Sequence, residues 1–445
     1  MLPLLLSLVF VPAQDAVASR ANVTVLEPPC PVAGSLFGQS VKQLDLDGDG
    51  NQDVAVGAPG EGVVYVYHGK APGLPRPFNV QRIFTPTGPA TCPVPSSSGQ
   101  FGIDVWGGQL DGDAADELLV GAPGETVGGV ANVGAAYLIG FGASGSTPVR
   151  LASPVSTAGL FGSAVAIGDF DGDGLNDVAV GARLASVGGF SAGSVYIWFG
   201  PVDPAAAPLV LANPFPVANG NLGHHLAVGD TNGDGLDDLV VNALGNTIAA
   251  VPFAGQVFVY EAPISVTPTH VIMDPNLDPL DLPSPRYGMH IDAREAWVVV
   301  GANRKDHSGI HDAGRGYVQS GPSFTDVSLH NHSAPKDSDY FGFRCAIADV
   351  IGDSALDFTF IVMPKTNLPV PNEQELYIWD GNYRFGPPTR ILPALPNSGD
   401  HYANGLDRGQ LFPGGKEELL YGDPTFDRQG FGSQDNSGRV VIYGF

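Results

Sequence analysis

DVAVGAP (53–59), ELLVGAP (117–123), DVAVGAR (177–183), DLVVNAL (238–244), WVVVGAN (297–303), DFTFIVMP (357–364) and ELLYGDP (418–424) recur along one chain of 445 residues. Each is a short apolar run ending in a Gly-Ala-Pro-like turn, and self-similarity at a fixed period marks a repeat architecture. Upstream of each stands an opening pair: Phe37-Gly38, Phe101-Gly102, Phe161-Gly162, Leu222-Gly223, Tyr287-Gly288, Phe341-Gly342 and Asn404-Gly405. Successive openings are 64, 60, 61, 65, 54 and 63 residues apart. Downstream comes an aromatic and β-branched strand, such as VVYVYHG (63–69) or SVYIWFG (194–200), then a more polar one, such as FNVQRIF (78–84). Gly, Pro and Asp bound these strands, as expected of β-structure. The fourth strand of the last unit is missing after Phe445, and NVTVLE (22–27) has its pattern. The expectation is an all-β, seven-bladed β-propeller of four-stranded antiparallel blades. Residues 22–27 complete the last blade and close the ring, which hides the sheet edges of an open array.

Composition agrees. Gly numbers 60 and Pro 39, too turn-rich for a helical protein, while 43% apolar residues argue against disorder. The net charge of −25 opposes binding to phosphate backbones, so nucleic acid is not an expected partner. The apolar start MLPLLLSLVFV (1–11), followed by Ala16-Val17-Ala18, reads as a signal peptide over residues 1–18. The run is too short to span a bilayer, and no membrane insertion is expected. The mature domain is then 19–445, secreted to an extracellular or periplasmic space. Cys30 and Cys92 share a Cys-Pro-Val context at similar points of the repeat; a bridge between them and two free thiols both remain open. Cys345 sits in an apolar run and reads as a buried small side chain.

The Phe-Gly…Gly-Ala-Pro units with acidic loops between them resemble the FG-GAP repeats of the integrin α-subunit β-propeller, found also in secreted bacterial proteins. The resemblance covers about residues 22–445, with blades five to seven departing from it. In blade one the acidic loop is Asp45, Asp47, Asp49, Asn51, Asp53, with glycine at its fourth and sixth positions. Blade three has Asp169, Asp171, Asp173, Leu175, Asp177, and blade four Asp230, Asn232, Asp234, Leu236, Asp238. Oxygen side chains at positions 1, 3, 5 and 9 let a tight loop wrap one hard cation. Position 7 supplies its carbonyl, so its side chain is free to vary. Ca²⁺, with six to eight oxygen ligands in flexible geometry, suits this better than Mg²⁺. An EF-hand is excluded, because the twelfth positions are Val56, Val180 and Val241 rather than Glu. Three Ca²⁺ sites are therefore expected. Gln109, Asp111, Asp113 and Glu117 of blade two form a weaker fourth candidate, and blade six, with Ile351 at position 3, is expected to bind none. The resemblance implies ions on one rim that brace the blades, a structural role.

Chain direction reverses at each strand, so the loops joining second to third strands lie on the opposite rim. Several are long, and long loops on a rigid scaffold carry function. The resemblance places partner contacts on this face. In so acidic a chain, the cluster Arg304, Lys305, His307 and Arg315 in blade five is the candidate contact patch. No H-E-x-x-H, G-x-S-x-G or P-loop occurs, and no catalytic residue is assigned. The leading function is a secreted, calcium-braced binding or adhesion module for a protein or polysaccharide at the cell surface. The alternative is an exported polysaccharide-active hydrolase or lyase with its site at the propeller axis. A titratable cluster converging on the axis would favour that alternative.

Overall fold

The computed structural model describes residues 16–17, 22–28, 32–69, 79–84, 99–140, 148–187, 189–278, 285–307, 309–332, 335–363, 375–383, 387–391, 405–409, 411, 416–424 and 438–444. Cys30 and Cys92 lie outside these residues.

Seven antiparallel sheets follow one another around a ring. Blade three shows the plan, running outward from the axis as Phe161–Gly168, Asp177–Ala182, Ser194–Trp198 and Leu209–Ala212. The second and third strands are buried along their whole length, whereas the fourth is buried only at Leu211. The order of burial has a simple cause. Neighbouring blades cover both faces of the middle strands, which therefore read as continuous apolar runs rather than alternating ones. Core side chains divide into seven clusters, one at each blade-to-blade junction. At one junction, Leu420, Val440 and Ile442 of the last blade pack with Val54, Val56 and Tyr65 of the first.

Ring closure follows the expected route. Asn22–Leu26 pairs antiparallel with Arg439–Gly444, Asn22 opposite Gly444 and Leu26 opposite Val440. One addition was not expected: Ala16–Val17 pairs parallel with Thr389 and Arg390 as a fifth strand on blade six. These two residues fall inside the expected 1–18 leader, so cleavage after Ala18 would remove that strand. No helix among the described residues is long and apolar enough to cross a membrane.

The repeated motif is a packing device between blades. A Cβ on Gly57, in the Gly-Ala-Pro turn of blade one, would lie 2.0 Å from the carbonyl oxygen of Gly102, in the Phe-Gly pair of blade two. The same contact closes the ring, where a Cβ on Gly422 would meet the Gly38 carbonyl at 2.0 Å. Blade four replaces this glycine with Asn242, whose Nδ2 donates to the Gly288 carbonyl at 2.6 Å. In blades one to three the aromatic of the opening pair turns inward against its own blade: Phe37 meets Tyr65 edge-on at 5.5 Å, Phe101 meets Tyr137 at 5.5 Å, and Phe161 meets Tyr196 at 5.7 Å.

Candidate metal sites and the axial cavity

The acidic loops join first to second strands and share one rim. In each, the first carboxylate organises the turn. Asp169 accepts the Gly172 and Gly174 N–H groups at 2.8 and 2.9 Å, and Asp230 accepts those of Gly233 and Gly235 at 2.7 and 2.8 Å. These glycines have φ near +80°, where other residues are strained.

The ninth position is buried and ties the loop to the sheet. Asp177 accepts the Phe170 N–H at 2.7 Å with one oxygen and the Gly200 N–H at 2.6 Å with the other. Asp53 does the same with Leu46 and Gly69, and Asp238 with Thr231 and Ala262. Burial, with like charge from Asp171 and Asp169, pushes Asp177 up to about 7 despite these donors. Burial likewise raises Asp53 and Asp238 above the usual carboxylate range.

Oxygens of Asp45, Asp47 and Asp49 gather within 4.8 Å of one another, as do those of Asp169, Asp171 and Asp177. The blade-two loop gathers too, through Asp111, Asp113 and Glu117, with Gln109 accepting the Asp111 and Gly112 N–H groups. Burial holds Glu117 at about 7. In blade four Asn232 donates to Asp234 at 2.9 Å, and Thr231 donates its hydroxyl to Asp238. At the seventh position, the N–H groups of Asn51, Leu175 and Leu236 donate to the carboxylates of Asp49, Asp173 and Asp234. The Leu175 side chain points to solvent, 43% exposed, consistent with a role for its backbone alone. A histidine unremarked in the sequence borders the blade-one loop, His68 Nδ1 standing 3.1 Å from Asp53 and 3.3 Å from Asp47. The donor set fits a hard cation. It is almost wholly oxygen, and a cation would relieve the burial that raises Asp53, Asp177 and Asp238. Blade five has only the two-residue turn Glu295-Ala296 at this place.

On the opposite rim the expected basic patch needs a correction. Lys305 is buried, 3% exposed, with its ammonium 2.9 Å from Asp274 and donating to the Asn276 carbonyl at 2.6 Å. It braces the blade and is not offered to a partner. Arg315 donates to Asn331 at 2.9 Å and lies 2.7 Å from His307 Nδ1, both half-buried. Arg304 stacks over Tyr340.

The axis holds what the sequence reading did not assemble. A cavity of about 140 Å³ is lined by Gln39, Asp104, Ser163, Arg183, His224 and Arg344. A second, of about 90 Å³, lies against Trp106, His225, His290, Asp292, Cys345 and Arg408. Asp104 accepts the N–H of Val105 at 3.1 Å and that of Val165, on the next blade, at 2.9 Å. Burial raises it to about 6. Asp292 pairs with Arg408 and accepts the Ile347 N–H. His224 and His225 are pushed down to about 3, by burial and then by Arg183 and Arg344 respectively. Cys345 Sγ stands 3.6 Å from His290 Nδ1, but burial drives the thiol far above its usual range, so it is no thiolate nucleophile. A signal for this ring was present in the repeat. Ser40, Asp104, His225, His290, Arg344 and Asp407 all stand three residues after the opening residue of their blades.

The ring of seven blades, with acidic loops on one rim and glycine contacts between blades, is a seven-bladed β-propeller similar to the FG-GAP propellers of integrin α chains. The FG-GAP repeat model matches residues 37–67, 161–198 and 222–260. Among curated relatives, integrin alpha-PS2 of Drosophila melanogaster is 32% identical over 248 residues, 51% of this chain and 16% of its own length. Integrin alpha-5 of Xenopus laevis is 29% identical over 250 residues, covering 53% of this chain and 22% of that protein. The phosphatidylinositol-glycan-specific phospholipase D of Mus musculus is 32% identical over 175 residues, 37% of this chain and 20% of that protein. The matches thus span about a fifth of these relatives. The solved Dos1 propeller aligns over 88% of this chain and 74% of its own at a TM-score of 0.43 and 11% identity.

Proposed function

We propose that this chain is an exported, calcium-braced propeller that acts as a binding or adhesion module for a protein or polysaccharide at a cell surface. The observation that carries the reading is the division between rims. Oxygen-rich loops with gathered carboxylates occupy one rim, and long, varied loops occupy the other. The metal role follows from the ligands' position: residues such as Asp177 join a loop to its own sheet, so an ion held there stiffens a blade. Likeness to integrin α chains supports adhesion, and the leader-like start supports export. The test is retention of the protein on immobilised cell-wall polysaccharides and surface proteins, in millimolar Ca²⁺ and in chelator. Retention that depends on Ca²⁺ and weakens in Arg304→Ala or His307→Ala supports the module and its face. Failure to be retained on any surface would overturn it.

The axial enzyme reading gains one observation, since titratable groups do converge on the axis. Their state weighs against hydrolysis. Asp104 is engaged by backbone donors, Asp292 by Arg408 and Asp407 by Lys42, so among the described residues none of the three carboxylates lining the cavities is a free member of the pair glycoside cleavage needs. Turnover of an offered polysaccharide, abolished by Asp104→Asn, would restore that reading.

A further inference from the structure

We propose that the larger axial cavity is a binding site for a single oxyanionic group, a carboxylate or a sulfate, held by Arg183 and Arg344. The inference concerns the cavity itself and does not rest on the adhesion reading. The walls are the innermost strands and turns, with Gln39 from blade one, Asp104 from blade two, Arg183 from blade three, His224 from blade four and Arg344 from blade six. Residues this far apart in the chain are held by the ring, so the site is preformed. The volume of about 140 Å³ admits one small group or the end of a larger ligand, not a chain threaded through.

Charge decides the kind of group. The protein has only 21 Lys and Arg against 46 Asp and Glu, yet two arginines face this space. The Arg183 guanidinium is half-buried and has no hydrogen bond or ion pair among the described residues; only its backbone N–H is used, by Ser163 Oγ. Burial lowers the pKa of both arginines, Arg344 to about 10, so both remain cationic at neutral pH. The one carboxylate among the lining residues, Asp104, is already engaged by Val105 and Val165, and Arg344 donates to the Phe343 carbonyl at 3.1 Å, so the acceptor that is missing is the one for Arg183. The Nδ1 atoms of His224 and of its neighbour His225 are buried with no hydrogen-bond partner. A neutral imidazole can donate one hydrogen bond to an anion without adding charge. A half-buried guanidinium without a hydrogen-bond partner, beside unsatisfied ring nitrogens, is a site short of an acceptor, and an oxyanion supplies several.

The test is calorimetric titration of the whole protein with sodium sulfate and with sodium acetate, at ionic strength held constant with chloride. Thermal melts verify that each variant is folded. Saturable binding is expected for at least one anion, weakened tenfold or more in Arg183→Gln and unchanged in Arg150→Gln, whose partner is Glu125 on the blade-two flank. Arg344→Gln should act like Arg183→Gln if it folds; Arg183→Gln carries the test if it does not. Displacement of the bound anion by an oligogalacturonate would assign the group to a uronic-acid glycan. An anion that oligogalacturonate does not displace would be a free ion, and either result keeps the site. Absence of saturable binding for both anions, or equal binding in Arg183→Gln, would overturn the proposal. A protein that fails surface retention but binds sulfate would sink the adhesion reading and leave this site standing.

Discussion

The carboxylate of Asp177 accepts the Gly200 N–H at 2.6 Å, joining the last position of an acidic loop to the residue that leaves the third strand. The other carboxylate oxygen holds Phe170 within the loop, so one side chain sets the loop against its sheet. Asp177→Asn would turn an NH₂ group toward one of the two N–H donors. Leaving a buried donor unmatched costs about 1–3 kcal/mol, and urea unfolding should show that loss even in chelator. A variant as stable as the parent would mean the bonds contribute nothing.

Calcium should raise the unfolding midpoint, and chelator should lower it. At a concentration tenfold above Kd, each site adds about 1.4 kcal/mol. Scanning calorimetry in 5 mM Ca²⁺ and in EDTA decides the matter, and coincident melting curves would remove the metal assignment.

The axial histidines set an acid limit on stability. His224 and His225 have folded pKa values of about 3, below the ordinary 6.5. The unfolded chain therefore binds more protons between those values, and stability contributed by the neutral rings is full above pH 6.5 and lost as pH falls toward 3. Each ring adds up to about 1.4 kcal/mol per pH unit in that window. Asp104, raised to about 6, acts in the opposite sense between its ordinary 3.8 and 6. Denaturant midpoints measured from pH 7 to pH 4 should fall less steeply in His225→Gln than in the parent, and an unchanged slope would contradict the assignment.

Lys305→Ala should destabilise the fold by about 3–5 kcal/mol, because it strands the buried Asp274 carboxylate. Arg304→Ala, at a partly exposed site, should cost far less. Chemical denaturation of the two variants tests this, and equal stabilities would return Lys305 to the solvent-facing patch.

Gly57→Ala should be among the most damaging single-methyl changes in the chain. Its Cβ would press on the backbone of the next blade, whereas a Cβ on Gly50 meets nothing within 4 Å and only its positive φ resists substitution. Overpacking of this kind costs about 1–3 kcal/mol or more. Matching melting temperatures for Gly57→Ala and Gly50→Ala would refute the interblade role of the motif.

Much of this molecule is local and therefore legible along the chain. Strand runs such as DVAVGA (53–58) are apolar throughout because both faces are covered, and Asp-Gly loops carry their turn chemistry in adjacent residues. Even ring closure could be read, because Asn22–Leu26 has the pattern its missing partner requires. Tertiary structure alone decided two things. It buried Lys305 against Asp274, thirty-one positions upstream, where sequence spacing offers no cue. It also set Asp104, Arg183, His224 and Arg344 around one cavity, although each belongs to a different blade. The physical reason is common to both. Burial and the field at a charged group depend on what the ring brings near it in space, and a repeat sequence specifies each blade without stating which side chains will meet where seven of them converge.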